Sequence, residues 1–506
     1  MTPTRLSALL LLASLCPAQL ACSSNGGADG DVDTDVDTDT DTDTDSDTDL
    51  PKVLQWGPRV EVDLEQAGMV LDMAVCPDDS LHLAYWKRGN ESGLCETPIL
   101  GGPPTPIHMD EIRYAFGDGE TFTIETINSQ MENEYIAGIS IVCDGSGNPV
   151  VAYQGGEESS QCCGGSDLMQ ARRTGPDSWQ ETMIVGDSNV ASAGDACPKM
   201  QNICDTGDTV GLWPHLAVAP SGMLGVVYRD IHLCYAKEDQ DSSDLEYAES
   251  SGGGGFGSFQ WIDLARGAGG FTKLAYGPDN EPAVINYNGK YQMIHFARRE
   301  AGAWSNQPCP DNTDAECPTG QKCIVKFCAQ NVHTKAFDAA LPERSMDLLI
   351  TPDGRFLVAY FDVDEKSLRI AHSTDGMAWE RGVIDSDGAT GMFPSLVLDP
   401  ATGQPGVAYY RCSEYDPDDL ECNKNQDGPR FANFTGSYPD ELTSQNKWKK
   451  TVISDDDVAT EGRYVSAVVL SDGRIGVAYS YSWWDQGESK GKQHLMFHMG
   501  TWEEAD

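Results

Sequence analysis

Basic residues are scarce. The 506-residue chain has 34 Lys and Arg against 80 Asp and Glu, a formal net charge of −46. Phosphate binding needs a basic face, so this deficit excludes a nucleic-acid ligand. Long apolar runs are also missing. After the first segment, nothing approaches the roughly 18 consecutive apolar residues of a membrane helix, so any membrane contact is an anchor and not a span. Neither an HExxH zinc site nor a phosphate-binding P-loop appears. Aromatics make up only 8%. What is abundant points to a turn-rich globular body: 52 Gly, 27 Pro, 40% hydrophobic and 23% charged residues. That is enough to bury a core. The length allows about two to four average domains, or one large repeat array.

The address lies at the start of the chain. Arg5 precedes the apolar stretch Leu6 to Leu15, which is too short to span a bilayer and has the shape of a signal-peptide core. Leu20-Ala21-Cys22 and a polar Ser/Asn/Gly segment follow. This order resembles a bacterial lipoprotein signal, with Cys22 as the lipidated residue, although Gln19 stands where that family usually has an aliphatic. Ordinary secretory cleavage near Ala18 or Ala21 is the alternative. Residues 28–50 then alternate Asp with Thr, Val or Ser. Like charges at every second residue extend a chain that has nothing apolar to collapse it. The tract reads as a solvated stalk and lacks the turn Gly and mixed ligand spacing of a calcium loop. It resembles stalks of myxobacterial surface lipoproteins. The body without residues 1–50 still carries −36.

Cysteine usage agrees with export. Cys16 and Cys22 aside, 14 of the 16 cysteines remain, an even number that suits an oxidising compartment. Cys309, Cys317, Cys323 and Cys328 lie in a polar segment with almost no core, which needs covalent staples. Cys412 and Cys422 are placed to clip one acidic loop. A zinc reading is weaker because no CxxC pair is present.

The strongest signal is an internal repeat. A short apolar run, a Pro/Asp/Gly turn and a second run ending in Ala-Tyr recur seven times, as in Leu348-Leu-Ile-Thr-Pro-Asp-Gly-Arg-Phe-Leu-Val-Ala-Tyr360 and Ala467-Val-Val-Leu-Ser-Asp-Gly-Arg-Ile-Gly-Val-Ala-Tyr479. The other copies end at Tyr85, Tyr153, Tyr228, Tyr287 and Tyr409. Each reads as an antiparallel hairpin. A third strand follows around Ala115, Ala171, Ala248, Ala297, Ala371 and Ala432. A fourth begins near Phe122, Trp179, Phe259, Trp304, Trp379 and Trp448. Four-stranded units in this number predict an all-β, seven-bladed β-propeller. The last unit runs out after its third strand, so the segment Val53 to Val62 is expected to close the seventh blade. The implied organisation is a signal peptide at 1–21, a stalk at 22–52, a propeller at 53–500 with a disulfide-rich insert at 307–335, and a tail at 501–506.

The unit resembles the repeats of exported bacterial propeller lipoproteins and of sialidase/BNR-type propellers. Ser373-Thr-Asp-Gly-Met-Ala-Trp379 resembles the Asp-box turn of that group, one residue short. The geometry implied by the resemblance places a ligand-binding mouth where the inner strands begin. Asp72, His215, Lys273, Asp347, Ser395 and Ser466 lie at corresponding inner-strand positions, with Ile139 in blade 2. Lys87, Arg229, Asp230, Asp362 and Arg411 follow the second strands, and Trp213, Phe271, Phe393 and Tyr464 stand near the inner-strand starts. Asp72, His215, Arg229, Lys273, Asp347 and Arg411 are the candidate ligand-binding set. His215, Lys273 and Arg411 are the candidates should chemistry occur there. A sialidase needs three arginines. Arg229 and Arg411 have only Arg344 or Arg463 as a third, and the FRIP-type motif is absent. Asp416, Asp418, Asp455 and Asp457 are the candidate calcium ligands, set against plain solvated loops. No cofactor is expected. The reading is a monomeric cell-surface lipoprotein of a Gram-negative outer membrane. It binds or scaffolds a glycan or protein without catalysis. A sialidase-like hydrolase or polysaccharide lyase is the alternative.

Overall fold

The computed structural model describes residues 52–504, apart from 96–103, 134–137, 156–165, 188–206, 208, 232–242, 251–254, 264–266, 290–292, 301, 305–320, 325–326, 334–345, 413–414, 417–420, 423–426, 456–458 and 486–489. They form a seven-bladed β-propeller of four-stranded antiparallel blades. The seven inner strands, in blade order, are Ala67–Val75, Ile139–Cys143, Thr209–Val218, Gly270–Tyr276, Met346–Ile350, Ala389–Leu398 and Thr460–Val469. Each contacts the next, and the seventh contacts the first, so the ring is closed.

Each inner strand enters its hairpin through the same turn chemistry. One residue per turn takes a left-handed φ: Asp79, Gly147, Gly222, Asn280, Gly354, Gly403 and Gly473. Its N–H bonds back to the carbonyl of the residue that opens the turn, as in Gly354 N to Thr351 O at 2.8 Å. This conformation favours Gly, Asn and Asp, which explains the turn composition of the repeat. Alternating apolar side chains then bury both faces of each blade against its neighbours.

The register explains the recurring Ala-Tyr. The Tyr follows the residue paired with the axial inner-strand position, as in Asp72↔Ala84 and Ser395↔Ala408. Its ring is buried, and in blades 1, 2, 3, 6 and 7 its hydroxyl donates to a carboxylate. Tyr85 bonds Asp63 at 2.9 Å and Tyr409 bonds Asp385 at 2.7 Å, each carboxylate ending the fourth strand of the preceding blade. Tyr228 bonds Glu246 at 2.5 Å within its own blade. Blade 4 departs from the sequence alignment. Lys273 pairs Ile285, so Asn286 and not Tyr287 takes the register position, and it reaches Asp263 at 3.4 Å. His295 Nδ1 completes that contact at 2.6 Å.

The seventh blade closes as the repeat count implies. Its third strand, Lys490–Glu504, pairs with Lys52–Trp56 and with Val60–Asp63. The fourth strands start within a residue of the expected aromatics in blades 1, 2, 3, 5 and 6. In blade 4 the strand Ala303–Trp304 is only two residues long, and Phe327–His333 from the cysteine-rich insert extends that edge. The Asp-box resemblance corresponds to a real turn. Asp375 Oδ1 accepts from Met377 N and Ala378 N, Ser373 Oγ accepts from Gly376 N, and Trp379 Nε1 donates to Gly376 O.

One disulfide among the described residues was not singled out by sequence. Cys76 and Cys143, at the hairpin turns of blades 1 and 2, are bonded with their Cα atoms 5.3 Å apart. Cys412 is also disulfide-bonded. Its partner lies outside the described side chains, as do the side chains of Cys309, Cys317, Cys323, Cys328 and Cys422. Residues 1–50, with Cys22, are likewise outside the described part.

Candidate functional site

The axial positions form one continuous polar ring. Asp72 Oδ2 accepts from Ser140 Oγ at 2.9 Å and from Ile141 N at 3.0 Å. Ser140 Oγ accepts from Leu216 N. His215 Nδ1 accepts from Leu274 N at 3.2 Å. Lys273 Nζ lies 3.3 Å from Asp347 Oδ1, and Asp347 Oδ2 accepts from Leu396 N at 2.7 Å. Ser395 Oγ accepts from Ala467 N, and Ser466 Oγ donates to Asp72 Oδ1 at 3.3 Å. Each blade is thus tied to the next through one side chain. In blade 2 this side chain is Ser140, not Ile139, because the register pairs Ser140 with Ala152.

On the mouth side of the ring stand four aromatics with positive φ: Trp213 at 47°, Phe271 at 52°, Phe393 at 52° and Tyr464 at 55°. Each sits at a break in hairpin register two residues before the axial side chain. The bulge turns the ring toward its neighbour. Trp213 meets Phe271 at 5.0 Å and Phe393 meets Tyr464 at 4.9 Å between ring centres. Phe393 is buried, and Tyr464 also packs against the clusters of blades 1 and 2. A glycine stands two residues before each aromatic: Gly211, Gly269, Gly391 and Gly462, all with positive φ. A Cβ at Gly391 would come within 2.6 Å of Leu368 Cα of the preceding blade. The recurring Gly-x-aromatic-x-polar order was a legible signal that the sequence reading did not use in full.

A cavity of about 350 Å³ lies along the axis. It is lined by the polar ring apart from Ser140 and by Met73, Val75, Val142, Cys143 and Val218, and so extends from the ring toward the hairpin turns. The aromatics are not part of its wall.

The structure therefore gathers Asp72, His215, Lys273 and Asp347 around the axis but leaves Arg229 and Arg411 outside the ring. Arg229 lies over the Trp213 ring at 5.2 Å and donates to Ser243 Oγ at 2.9 Å. Arg411, in blade 6, donates to the Asp387 carbonyl at 2.9 Å and pairs with its carboxylate at 3.2 Å. Arg463 belongs to blade 7, and Arg344 is outside the described residues. Arg411 and Arg430 both act on the buried Tyr409 hydroxyl, and Arg463 acts on that of Tyr410. The lone pair of His215 Nδ1 is engaged by the Leu274 backbone N–H, which leaves Nε2 as the protonated nitrogen of the neutral ring. Asp455 lies 3.6 Å from Arg430. Asp418, Asp457 and the side chain of Asp416 are outside the described part. Cys76, His82 and Cys143 present sulfur and nitrogen atoms within 4.8 Å of one another, but both sulfurs are spent in the disulfide and offer no thiolate.

No protein family and no curated protein matches the chain by sequence. Solved structures similar to it include a protein of unknown function from Dyadobacter fermentans, at 12% identity over 89% of this chain and 99% of that one, with a TM-score of 0.45. An α-L-arabinofuranosidase from Fusarium graminearum matches at 11% identity over 87% and 97%, TM-score 0.43. A leech intramolecular trans-sialidase matches at 9% identity over 89% and 98%, TM-score 0.43. These likenesses assign no role to any residue of this chain.

Proposed function

We propose that this protein is an exported, lipid-anchored binding module that recognises an extracellular ligand, a glycan before a protein, and does not turn it over. The observation that carries this reading is the occupation of the axial side chains. Asp72, Ser140, His215, Lys273, Asp347, Ser395 and Ser466 hold the blades to one another. General acid–base work needs a group with a spare proton or lone pair facing substrate. Here the best sequence candidate, His215, supplies its Nδ1 lone pair to a blade junction and is left with the Nε2 proton alone, which argues against a base role. Anchoring rests on the apolar segment Leu6 to Leu15, Cys22 and the acidic stalk. The disulfide between Cys76 and Cys143 suits an oxidising compartment.

The test has two arms. The full chain is screened on an array of neutral and acidic glycans and assayed for release of sialic acid and for polysaccharide cleavage. Retention on the array without turnover is expected. Turnover that disappears in His215→Ala or Arg411→Ala would make the protein an enzyme and sink this reading. Metabolic labelling with palmitate in the native type of host is expected to mark the chain and to spare Cys22→Ser. Equal labelling of both would remove the anchor.

A further inference from the structure

A cleft recurs on the turn face between successive blades, bounded by the turn and third strand of one blade and the inner-strand end of the next. Strand register identifies the third-strand side chain at this position. It is Phe116, Arg172, Glu249, Arg298, His372 or Met499 in six blades, and Asn433 in blade 6. Only blade 6 carries a short side chain there. The consequence is visible in volume. Between blades 4 and 5, Arg298 lies over the Phe356 ring at 5.4 Å and the cavity is about 240 Å³. Between blades 6 and 7, no such side chain fills the corresponding space and the cavity is about 510 Å³. That lies within the roughly 300–1,000 Å³ range of small-molecule sites.

The wall of the larger cleft has a definite chemistry. Trp502 is the half-buried aromatic of its lining, and Phe431 and Phe434, themselves almost fully buried, complete the apolar side. Gln404 and Asn433 contribute amides whose oxygens receive no hydrogen bond from the described residues. Nothing among those residues holds either amide in its orientation, and the terminal amide torsion is broad, so each can turn a donor or an acceptor toward an occupant. The charged groups in the wall are already engaged. Arg474 Nε donates to Asp472 Oδ2 at 2.7 Å, and Asp399 Oδ1 accepts from Ala401 N and Thr402 N inside its own turn. The complement of such a wall is neutral, has an apolar face, and carries hydroxyl groups at its edge.

We propose that the cleft between blades 6 and 7 binds a neutral sugar residue, stacked on Trp502 and hydrogen-bonded by the Gln404 and Asn433 amides. This proposal rests on the glycan-binding reading above but places the ligand away from the central axis.

The experiment is saturation-transfer NMR on the full chain with maltotriose, cellotriose and xylotriose as neutral probes, and sialyllactose as the charged one. Binding of at least one neutral probe is expected. Asn433→Arg rebuilds the plug seen between blades 4 and 5, and the equivalent position already accepts Arg in blades 2 and 4. This variant and Trp502→Ala should each weaken the neutral probe by about tenfold or more, the loss of one good contact. Gln404→Ala, at a half-buried turn position whose side-chain oxygen receives no hydrogen bond from the described residues, gives a third readout with little demand on folding. Retained affinity in all three variants overturns the site while leaving a glycan-binding protein. Binding of sialyllactose alone overturns the neutral-sugar assignment and leaves an acidic glycan as the ligand, and binding of no probe overturns it and leaves protein ligands to the module.

Discussion

Glu246 shows what burial does to a single residue. Its carboxyl is pushed up to about 8, first by burial and then by the neighbouring Asp244 charge, while Tyr228 donates to it and pulls the other way. The unfolded chain releases this proton near the ordinary value of 4.5. The folded state therefore gains from holding the proton. That advantage is full below the unfolded value and is lost as pH rises toward about 8. Glu246 is expected to contribute a fall in stability worth a few kcal/mol between about pH 5 and about pH 8, opposed below about pH 6.5 by the buried imidazoles of His82, His372 and His498 and the half-buried one of His494. Glu246→Gln, which mimics the protonated acid, should therefore gain on the parent in urea midpoint as pH rises through that window. An unaltered pH slope in the variant would show that another group carries it. The same logic explains the buried tyrosines. Burial and the adjacent carboxylate both raise the Tyr85 and Tyr409 hydroxyls, which stay neutral and keep donating.

The hairpin is the element that repeats, and its turns are where neighbouring blades touch. Ser471 N donates to Asp79 Oδ1 between the turns of blades 7 and 1, and Ser221 N donates to Asn280 Oδ1 between those of blades 3 and 4. Between blades 1 and 2 the link is covalent, through Cys76 and Cys143, 67 residues apart. Closing a loop of that length in the unfolded chain is worth about 4 kcal/mol in the chain-entropy account. The double variant Cys76→Ser/Cys143→Ser should lose stability of that order in a denaturant titration with its far-ultraviolet dichroism intact. A midpoint unchanged from the parent would mean that the polar ring alone holds those blades together.

At the scale of the whole molecule, the two ends of the described chain share one sheet. Val60–Asp63 and Lys52–Trp56 cover the edge of Lys490–Glu504, and Asp63 also bonds Tyr85 and Arg113 of blade 1. A chain lacking residues 1–51 is expected to melt cooperatively as a monomer. One lacking residues 1–64 bares a long strand edge and leaves Tyr85 without its carboxylate, so it should elute as oligomers with a lowered melting point. Monomeric behaviour of the shorter chain on size exclusion with light scattering would contradict closure by the amino-terminal strands.

Fold class, blade number and closure were written in the order of the residues, because alternation, turn chemistry and repeat count are local properties. Asp-Gly and Pro-Asp turns, the Ala-Tyr strand ends and the missing fourth strand of the last unit sufficed. The axial side chains were also legible as a set, and Ile139 was displaced by Ser140 only because a one-residue register slip reverses which side chain faces the axis. What no local pattern could determine was the use of those side chains. Asp72, His215 and Asp347 each reach the inner strand of the next blade, and only the packed ring brings their acceptors to backbone N–H groups more than 45 residues away. Asn433 is likewise an ordinary strand residue until six other blades supply the long side chains that it lacks.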